Sequence, residues 1–243
     1  MKQPHILCDR NDIAPRVLLP GDPARVLRAA EHLDEWREIA FNREFRTVTG
    51  TYKDISVTIT STGIGGASAA IAVEELAACG AKVVIRIGSA GAVQKGLGIG
   101  VLIIAEGAVR EDGASRMYVP EGYPAASDPE LTLLLGRICR EKGYPCHTGI
   151  VRSHDSFYID EEAELMERWN KKQILGSDME TAAVLTVARL RGLRAASILN
   201  NVVSYESDIK EGIADYVDEA SAAAEGEQRE IIAALETLRQ ITL

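Results

Sequence analysis

Short, almost wholly apolar segments alternate with helical segments along this chain, and this alternation restricts its fold more than any other feature. The apolar runs predict strands at residues 17–19, 55–60, 82–87, 101–105, 149–152 and 195–203. Residues of helical spacing predict helices over 24–33, 67–79, 177–191 and 222–240. Strands that are apolar on both faces are typical of a mostly parallel sheet covered by helices. We therefore predict an α/β fold, one domain over residues 1–243 with a mostly parallel mixed central sheet flanked by helices.

Composition excludes several classes of function. The 243 residues carry a formal net charge of -9, which argues against a broad nucleic-acid-binding surface. No apolar run approaches the roughly 20 residues that span a bilayer, and the polar N-terminal segment does not resemble a signal peptide. We expect a cytoplasmic protein with neither a nucleic-acid nor a membrane partner. The four cysteines lack metal-ligand spacing and are expected to be reduced thiols.

Ligands of parallel α/β sheets bind beyond the carboxyl ends of the strands. The loops of interest are therefore those that follow Leu19, Thr60, Ile87, Arg152 and Val203.

Two of these loops combine glycine with arginine. Residues 21–25 (GDPAR) place Gly21 beside a strand end and Arg25 at the start of a helix, where free N–H groups favour an anion. Residues 86–91 (RIGSAG) combine Arg86 with Ser89 and two glycines, a set that suits an oxyanion. Either loop alone also fits a simple turn. An arginine closing an apolar strand needs a partner, however, so the two loops together favour an anion site.

A third segment, residues 176–181 (GSDMET), places two carboxylates at a predicted helix start. Asp178 and Glu180 fit simple capping and dipole roles there. Alternatively a carboxylate binds the hydroxyl pair of a sugar, with Met179 on the sugar's apolar face. Arg43 has two interpretations as well, an exposed strand residue or a ligand-binding cation.

Residues 153–155 (SHD) contain the residue types of a catalytic triad. Consecutive residues of an extended segment point in opposite directions, and no nucleophile-elbow glycines flank Ser153, so we reject a triad. Phe157, just beyond, either stacks on a flat base or belongs to the core.

Taken together, six segments in order resemble the hexameric nucleoside phosphorylase family, which contains uridine phosphorylase and the bacterial-type purine nucleoside phosphorylases. The residues of these segments most resemble those of uridine phosphorylase. The six segments are residues 20–23 (PGDP), 42–45 (NREF), 61–66 (STGIGG), 86–91 (RIGSAG), 109–115 (VREDGAS) and 178–180 (DME).

The resemblance implies a role for individual residues. Those of the phosphate site are Gly21, Arg25, Arg86, Ser89 and, from a neighbouring subunit, Arg43. Those of the ribose site are Met179, Glu180 and, from the neighbour, His5. Those of the base site are Ala90, Gly91, Phe157 and Glu161. Those of a possible potassium site between subunits are Glu44, Ile64 and Ser68. Arg86 and Glu180 are the expected catalytic residues.

The implied reaction is attack of inorganic phosphate on C1′ of a ribonucleoside, with release of the base. Positioning and electrostatics supply the acceleration, so no metal or organic cofactor is expected in the chemistry. Sites shared between subunits imply at least a dimer, and the family pattern implies a hexamer of three dimers.

The base site follows neither branch of the family. Glu161 and Ala163 stand where uridine phosphorylases carry Gln and Arg, and Ser204 stands nearest the general-acid Asp of the purine enzymes. Glu206 or Asp208 could replace that Asp if their loop folds inward. A uridine-like base is favoured by the motif spelling. A purine nucleoside phosphorylase, a nucleosidase and a non-catalytic nucleoside-binding protein remain alternatives.

Overall fold

The structure is a computed structural model and describes residues 1–205 and 222–243. The strands in these ranges are β1 Arg16–Pro20, β2 Glu35–Asn42, β3 Phe45–Tyr52, β4 Ile55–Thr60, β5 Val83–Ala92, β6 Leu102–Glu111, β7 Ala125–Ala126, β8 Cys146–His154, β9 Gly176–Asp178 and β10 Arg194–Val203. The helices are α1 Pro23–Ala30, α2 Gly66–Ala78, α3 Gly113–Tyr118, α4 Pro129–Glu141, α5 Glu162–Asn170, α6 Thr181–Leu190 and α7 Ala222–Gln240.

Four adjacent parallel strands, β10, β5, β1 and β4, form the centre of the sheet. Their carboxyl ends therefore meet at one edge, as predicted. The hairpin of β2 and β3 extends the sheet antiparallel beyond β4. The α/β class with a mixed central sheet is confirmed.

The other half of the sheet closes on itself. Strand β5 pairs with β9, β9 with β8, β8 with β6, β6 with β10, and β10 again with β5. Small apolar side chains, among them Ala90, Ala105 and Val151, pack into one cluster formed by this ring. The ring brings β8 and β9 next to the carboxyl end of β5.

Helices cover both faces of the sheet. Apolar residues of α1, α4 and α7 pack with those of the central strands in one cluster, and those of α2 and α6 pack in a second. This two-sided burial explains why the strand sequences are apolar without alternation.

Two predicted boundaries were wrong in ways that affect the site. The strand predicted to end at Ile87 continues to Ala92, because the segment RIGSAG pairs with β10 and then with β9. The helix predicted from residue 177 begins at Thr181, and Asp178 belongs to β9. Several other elements differ from their predicted bounds only in length. Helix α1, for example, was predicted to end at residue 33 and ends at Ala30.

Cys8, Cys79 and Cys139 are buried, Cys146 is partly buried, and all four are free thiols, as expected. Within residues 1–205 and 222–243, no helix has both the length and the apolar character needed to cross a membrane.

Candidate active site

The loops after β1 and β4 are joined through their backbones at the carboxyl edge of the sheet. The N–H of Thr62 donates to the carbonyl of Pro20, and the N–H of Gly63 donates to the carbonyl of Gly21, each at 2.9 Å. Gly63 has a φ of 71°, a conformation suited to glycine. These bonds hold the predicted anion-binding loop of Gly21 against the glycine-rich loop that follows β4.

Arg86 is the most buried cation of the site, with 2% of its surface exposed. Its Nε donates to Oδ2 of Asp178 at 3.0 Å, and its Nη2 donates to Oε2 of Glu180 at 2.6 Å. Burial alone would lower the pKa of Arg86, but the charges of Glu180 and Asp178 outweigh it and raise the pKa. Arg86 is therefore a permanent cation. Its Nη1 has no hydrogen-bond partner among the described residues and is available to an anion.

Gly88 provides the space for this guanidinium. A Cβ on Gly88 would lie 2.6 Å from Nη2 and 2.9 Å from Cζ of Arg86. The glycine in the middle of a strand is thus explained by the close approach of a charged side chain.

Arg25 lies beside Ser89 and below the loop of Gly21. Its Nη2 donates to Oγ of Ser89 at 3.1 Å, and its Nε donates to Glu227 of α7 at 2.7 Å. The same carboxylate of Glu227 accepts from Nε of Arg28 at 2.5 Å. Arg28 also donates to Oδ2 of Asp22 at 3.1 Å, so Glu227 holds Arg25 in place beside Ser89 while Arg28 is held by two carboxylates.

Glu230 of α7 lies at the bottom of this cluster. Its Oε2 accepts from the N–H of Gly88 at 3.2 Å, and its Oε1 is 3.6 Å from Nη1 of Arg25. Burial raises the pKa of Glu230 to about 8, although Arg25 opposes the shift. The group is therefore mostly neutral at pH 7 and does not repel an anion.

The two carboxylates of the 178–180 segment differ in their surroundings. Asp178 accepts from Thr181 through both N–H and hydroxyl, and from Oγ of Ser153 at 2.5 Å. It is thus fully occupied and orients Arg86. Glu180 accepts from Arg86 and, at 2.5 Å, from the N–H of Gly65. Glu180 is the carboxylate with capacity for a ligand, and Met179 next to it is half-buried.

Ser153 and His154 lie on β8 and do not form a triad. Ser153 bonds to Asp178, whereas Nδ1 of His154 lies 2.9 Å from the carbonyl of Ser156. Burial, and then the charge of Arg152, lower the pKa of His154.

Arg43 lies in the turn of the β2–β3 hairpin, and the N-terminal residue His5 contacts its neighbour Asn42. The side-chain amide of Asn42 donates to the carbonyl of His5 at 2.8 Å, and Nδ1 of His5 is 2.6 Å from Oε1 of Glu75. Arg43 is an exposed turn residue with a φ of 54°, not a residue of a regular strand. Among the described residues it has no hydrogen-bond or ion-pair partner, so its guanidinium is available to another chain.

Of the predicted base residues, Ala90 and Gly91 lie at the carboxyl end of β5, whereas Phe157 and Glu161 lie between β8 and α5. Phe157 is half-buried and packs edge-on against Tyr158, with ring centroids 4.9 Å apart. The side chain of Ala90 belongs to an apolar cluster, so only its backbone can contact a base. Glu161 precedes α5 and is exposed. Ser204 follows β10, and Glu206 and Asp208 lie outside the described residues.

The three residues of the predicted cation site are close in sequence or space. Oγ of Ser68 donates to Oε1 of Glu44 at 3.0 Å, and a Cβ on the intervening Gly63 would collide with both side chains. Ile64 has 80% of its surface exposed, which leaves its backbone open to a neighbouring chain. Carboxylate, hydroxyl and carbonyl oxygens are a donor set that fits a hard cation.

Glu227 and Glu230 were missed in the sequence. Their partners on α1 and β5 are 202 and 142 residues away in the chain, and no local pattern reveals such pairs. One signal was present, since helical spacing puts both on the same face of α7 as Ala223, Ile231 and Ala234. Acidic residues on an otherwise apolar face indicate buried partners.

Comparison with known proteins agrees with this geometry. A family model described as the phosphorylase superfamily matches residues 15–236. A uridine phosphorylase of Thermococcus kodakarensis is 46% identical, covering 81% of this chain and 75% of its own length. A guanosine phosphorylase of Halorubrum lacusprofundi is 41% identical, covering 81% of each chain.

Solved structures show the same relationship. The crystal structure of uridine phosphorylase from Vibrio fischeri superposes with a TM-score of 0.93 at 49% identity, covering 99% of this chain and 97% of that one. Purine nucleoside phosphorylase from Toxoplasma gondii gives a TM-score of 0.89 at 31% identity, covering 99% and 98%. The chain belongs to the phosphorylase superfamily and, within it, to the nucleoside phosphorylases.

Proposed function

We propose that this enzyme cleaves a uridine-like ribonucleoside with inorganic phosphate, giving ribose 1-phosphate and the free base. The observation that carries the proposal is the buried Arg86, whose Nη2 is bonded to Glu180 and whose Nη1 is unpartnered among the described residues. This one side chain can contact both a phosphate and the carboxylate that holds the ribose.

Phosphate binds between Arg86, Arg25 and Ser89 in this proposal. Because Oγ of Ser89 already accepts from Arg25, its own O–H remains to donate to a phosphate oxygen. The N–H of Gly21 lies at the rim, where the absence of a side chain allows close approach. The mostly neutral Glu230 beneath these groups adds little repulsion.

Glu180 holds the 2′- and 3′-hydroxyls and sets C1′ above the phosphate. A phosphate oxygen forms a bond to C1′ while the glycosidic bond breaks, and the electron pair of that bond leaves on the base. Positive charge develops on the ribose ring, and both the phosphate and the Glu180 carboxylate stabilise it. Holding the reactants in line supplies a large part of the acceleration.

A second copy of the chain completes the site in this proposal. Arg43 is exposed in the hairpin turn and the partly exposed His5 contacts the adjacent Asn42, so both can reach a neighbour's phosphate and ribose 5′-hydroxyl. A dimer is the smallest assembly that satisfies this, and a hexamer of three dimers is the proposed state. Glu44, Ser68 and the backbone of Ile64 would hold a potassium ion at the same interface. That ion would have a structural role.

A 6-oxopurine nucleoside is a second candidate substrate. It is supported by two relatives, one a guanosine phosphorylase and the other a purine nucleoside phosphorylase. The uridine phosphorylases at 46% and 49% identity favour uridine.

A phosphorolysis panel of uridine, thymidine, inosine, guanosine and adenosine, each with and without phosphate, tests the proposal. We expect base release only with phosphate, and fastest from uridine. Equal release without phosphate would indicate a nucleosidase. Ligand binding without any ribose 1-phosphate would indicate a non-catalytic binding protein.

A further inference from the structure

A second buried arginine lies near the base end of the site and has no place in the mechanism above. Arg152 of β8 has 2% of its surface exposed. Its Nε donates to Oε2 of Glu111 at 2.5 Å. Its Nη1 is 3.7 Å from Oε1 of Glu162, beyond hydrogen-bond distance, and has no hydrogen-bond partner in the described part of the chain.

Strand register places Arg152 in one row with a predicted base residue. Ser177 of β9 pairs with Arg152 on one side and with Gly91 of β5 on the other. Paired residues of adjacent strands point to the same face, so the three positions face one side of the sheet. No heavy atom of the described residues lies within 4 Å of a Cβ built on Gly91. There is thus open space over Gly91, with Ser177 and Arg152 beside it.

Two further polar atoms that are unpaired among the described residues accompany Nη1 of Arg152, one on the paired residue Ser177 and one on Glu162, which contacts Arg152. Oγ of Ser177 and Oε2 of Glu162 are buried without a hydrogen-bond partner among residues 1–205 and 222–243, like Nη1 of Arg152. A buried polar group left unpaired is destabilising, so such a group favours a partner from outside the chain. Arg152 and Glu162 therefore present a charged donor and a charged acceptor close together, with Arg152 one strand beyond Ser177, the neighbour of Gly91.

We propose that Arg152 and Glu162 recognise the base, an inference that rests on the proposed function. Nη1 of Arg152 donates to an exocyclic carbonyl oxygen, and Oε2 of Glu162 accepts from the adjacent ring N–H. This carbonyl–N–H edge is shared by uracil, thymine, hypoxanthine and guanine. Cytosine and adenine carry an amino group and an unprotonated ring nitrogen instead.

The chemistry of departure favours the oxo bases. The electron pair of the glycosidic bond delocalises onto the carbonyl oxygen as the base leaves. A guanidinium at that oxygen stabilises the developing negative charge. Ion pairing with Glu111 keeps Arg152 fixed in position. An amino group in place of the oxygen would instead face the donors of the guanidinium.

This pair also accounts for the departure from the family pattern at Glu161 and Ala163. Glu161 is exposed, whereas its neighbour Glu162 points towards Arg152. In this proposal Glu162, the first residue of α5, and Arg152 of β8 bind the edge of the base. They replace the Gln and Arg that uridine phosphorylases carry at the positions of Glu161 and Ala163.

The test measures kcat/KM with saturating phosphate for uridine, cytidine, inosine and adenosine. The variants are Glu162→Gln and Arg152→Lys, the latter because a lysine can retain the ion pair with Glu111 and the fold. Glu164→Gln, at an exposed position of the same helix, is the matched control. We expect each of the two variants to lower kcat/KM for uridine and inosine about 10- to 100-fold. The KM for phosphate and the melting temperature should remain unchanged, and the control should behave as wild type.

The inference is overturned if both variants keep the wild-type ratio of uridine to cytidine cleavage, or if the wild type prefers amino bases. If the wild type cleaves no nucleoside with phosphate, the proposed function fails instead. Calorimetric binding of uracil against cytosine, in wild type and Glu162→Gln, then decides the inference separately. Equal binding of the two bases would contradict it.

Discussion

Nη2 of Arg86 donates to Oε2 of Glu180 at 2.6 Å, so the residue proposed for phosphate and the residue proposed for ribose are directly bonded. Asp178 holds the same guanidinium from the other side, at 3.0 Å from its Nε. The positions of the two substrates are thereby coupled through a single side chain. Any change that moves this guanidinium should affect both substrates.

Gly88→Ala tests that coupling without removing a charge. The new Cβ would lie 2.6 Å from Nη2 of Arg86 and would displace the guanidinium. A displacement of this kind can cost about 10²-fold in rate, and we expect a rise in KM for both phosphate and nucleoside. Steady-state kinetics would show it. Gly122→Ala, where a Cβ meets no described atom within 4 Å, should retain full activity.

The proposal that two chains share each site predicts complementation between two inactive variants. In a mixed dimer of Arg43→Ala and Arg86→Ala chains, one site carries both defects and the other carries neither. We expect each variant alone to be inactive, and the mixture, refolded or co-expressed, to recover activity. The measurement is phosphorolysis as a function of mixing ratio. A mixture that remains inactive, although mass spectrometry shows mixed assemblies, would argue that Arg43 is not supplied in trans.

Glu230 predicts how stability changes with pH. Its pKa is about 8 in the folded protein and near 4.5 when unfolded, so the folded state binds the extra proton between these values. This contribution to stability is therefore greatest below pH 4.5, decreases as pH rises, and is lost above about pH 8.

Glu230→Gln should remove this contribution and flatten the decrease of the free energy of unfolding between pH 5 and 8.5. Urea titrations at several pH values would measure it. Glu225→Gln, an exposed change on the same helix, should keep the wild-type slope. An unchanged slope in Glu230→Gln would show that Glu230 titrates normally.

The central fold could be predicted from the sequence because parallel strands that are buried on both faces consist of consecutive apolar residues. Strand β4 and helix α7 were predicted residue for residue. The end of β5 was not predicted correctly, because Gly88 and Gly91 are residues typical of a loop. In the structure they are strand residues whose missing side chains leave room for Arg86 and for the open space over β5.

The residues proposed for phosphate and ribose could be selected from the sequence because most of them lie in short segments at strand ends. The residues proposed here for the base could not, because Arg152 is positioned by a partner on another strand. Arg152 and Glu111 are two residues out of register on β8 and β6, and only the fold brings them together. From the sequence, Arg152 was predicted only to end a short strand. No role was predicted for Glu162, although its neighbour Glu161 was placed in the base site.

Transfer of labelled phosphate tests the central claim most directly. Uridine and [³²P]phosphate are incubated with wild type, Arg86→Ala and Arg28→Ala, and labelled ribose 1-phosphate is measured. We expect label in the sugar at a rate equal to uracil release in the wild type, and a loss of about 10²-fold or more in Arg86→Ala. Arg28, which is half-exposed and bonds to Glu227, should matter far less. Uracil release by the wild type with unlabelled ribose as the product would contradict the account.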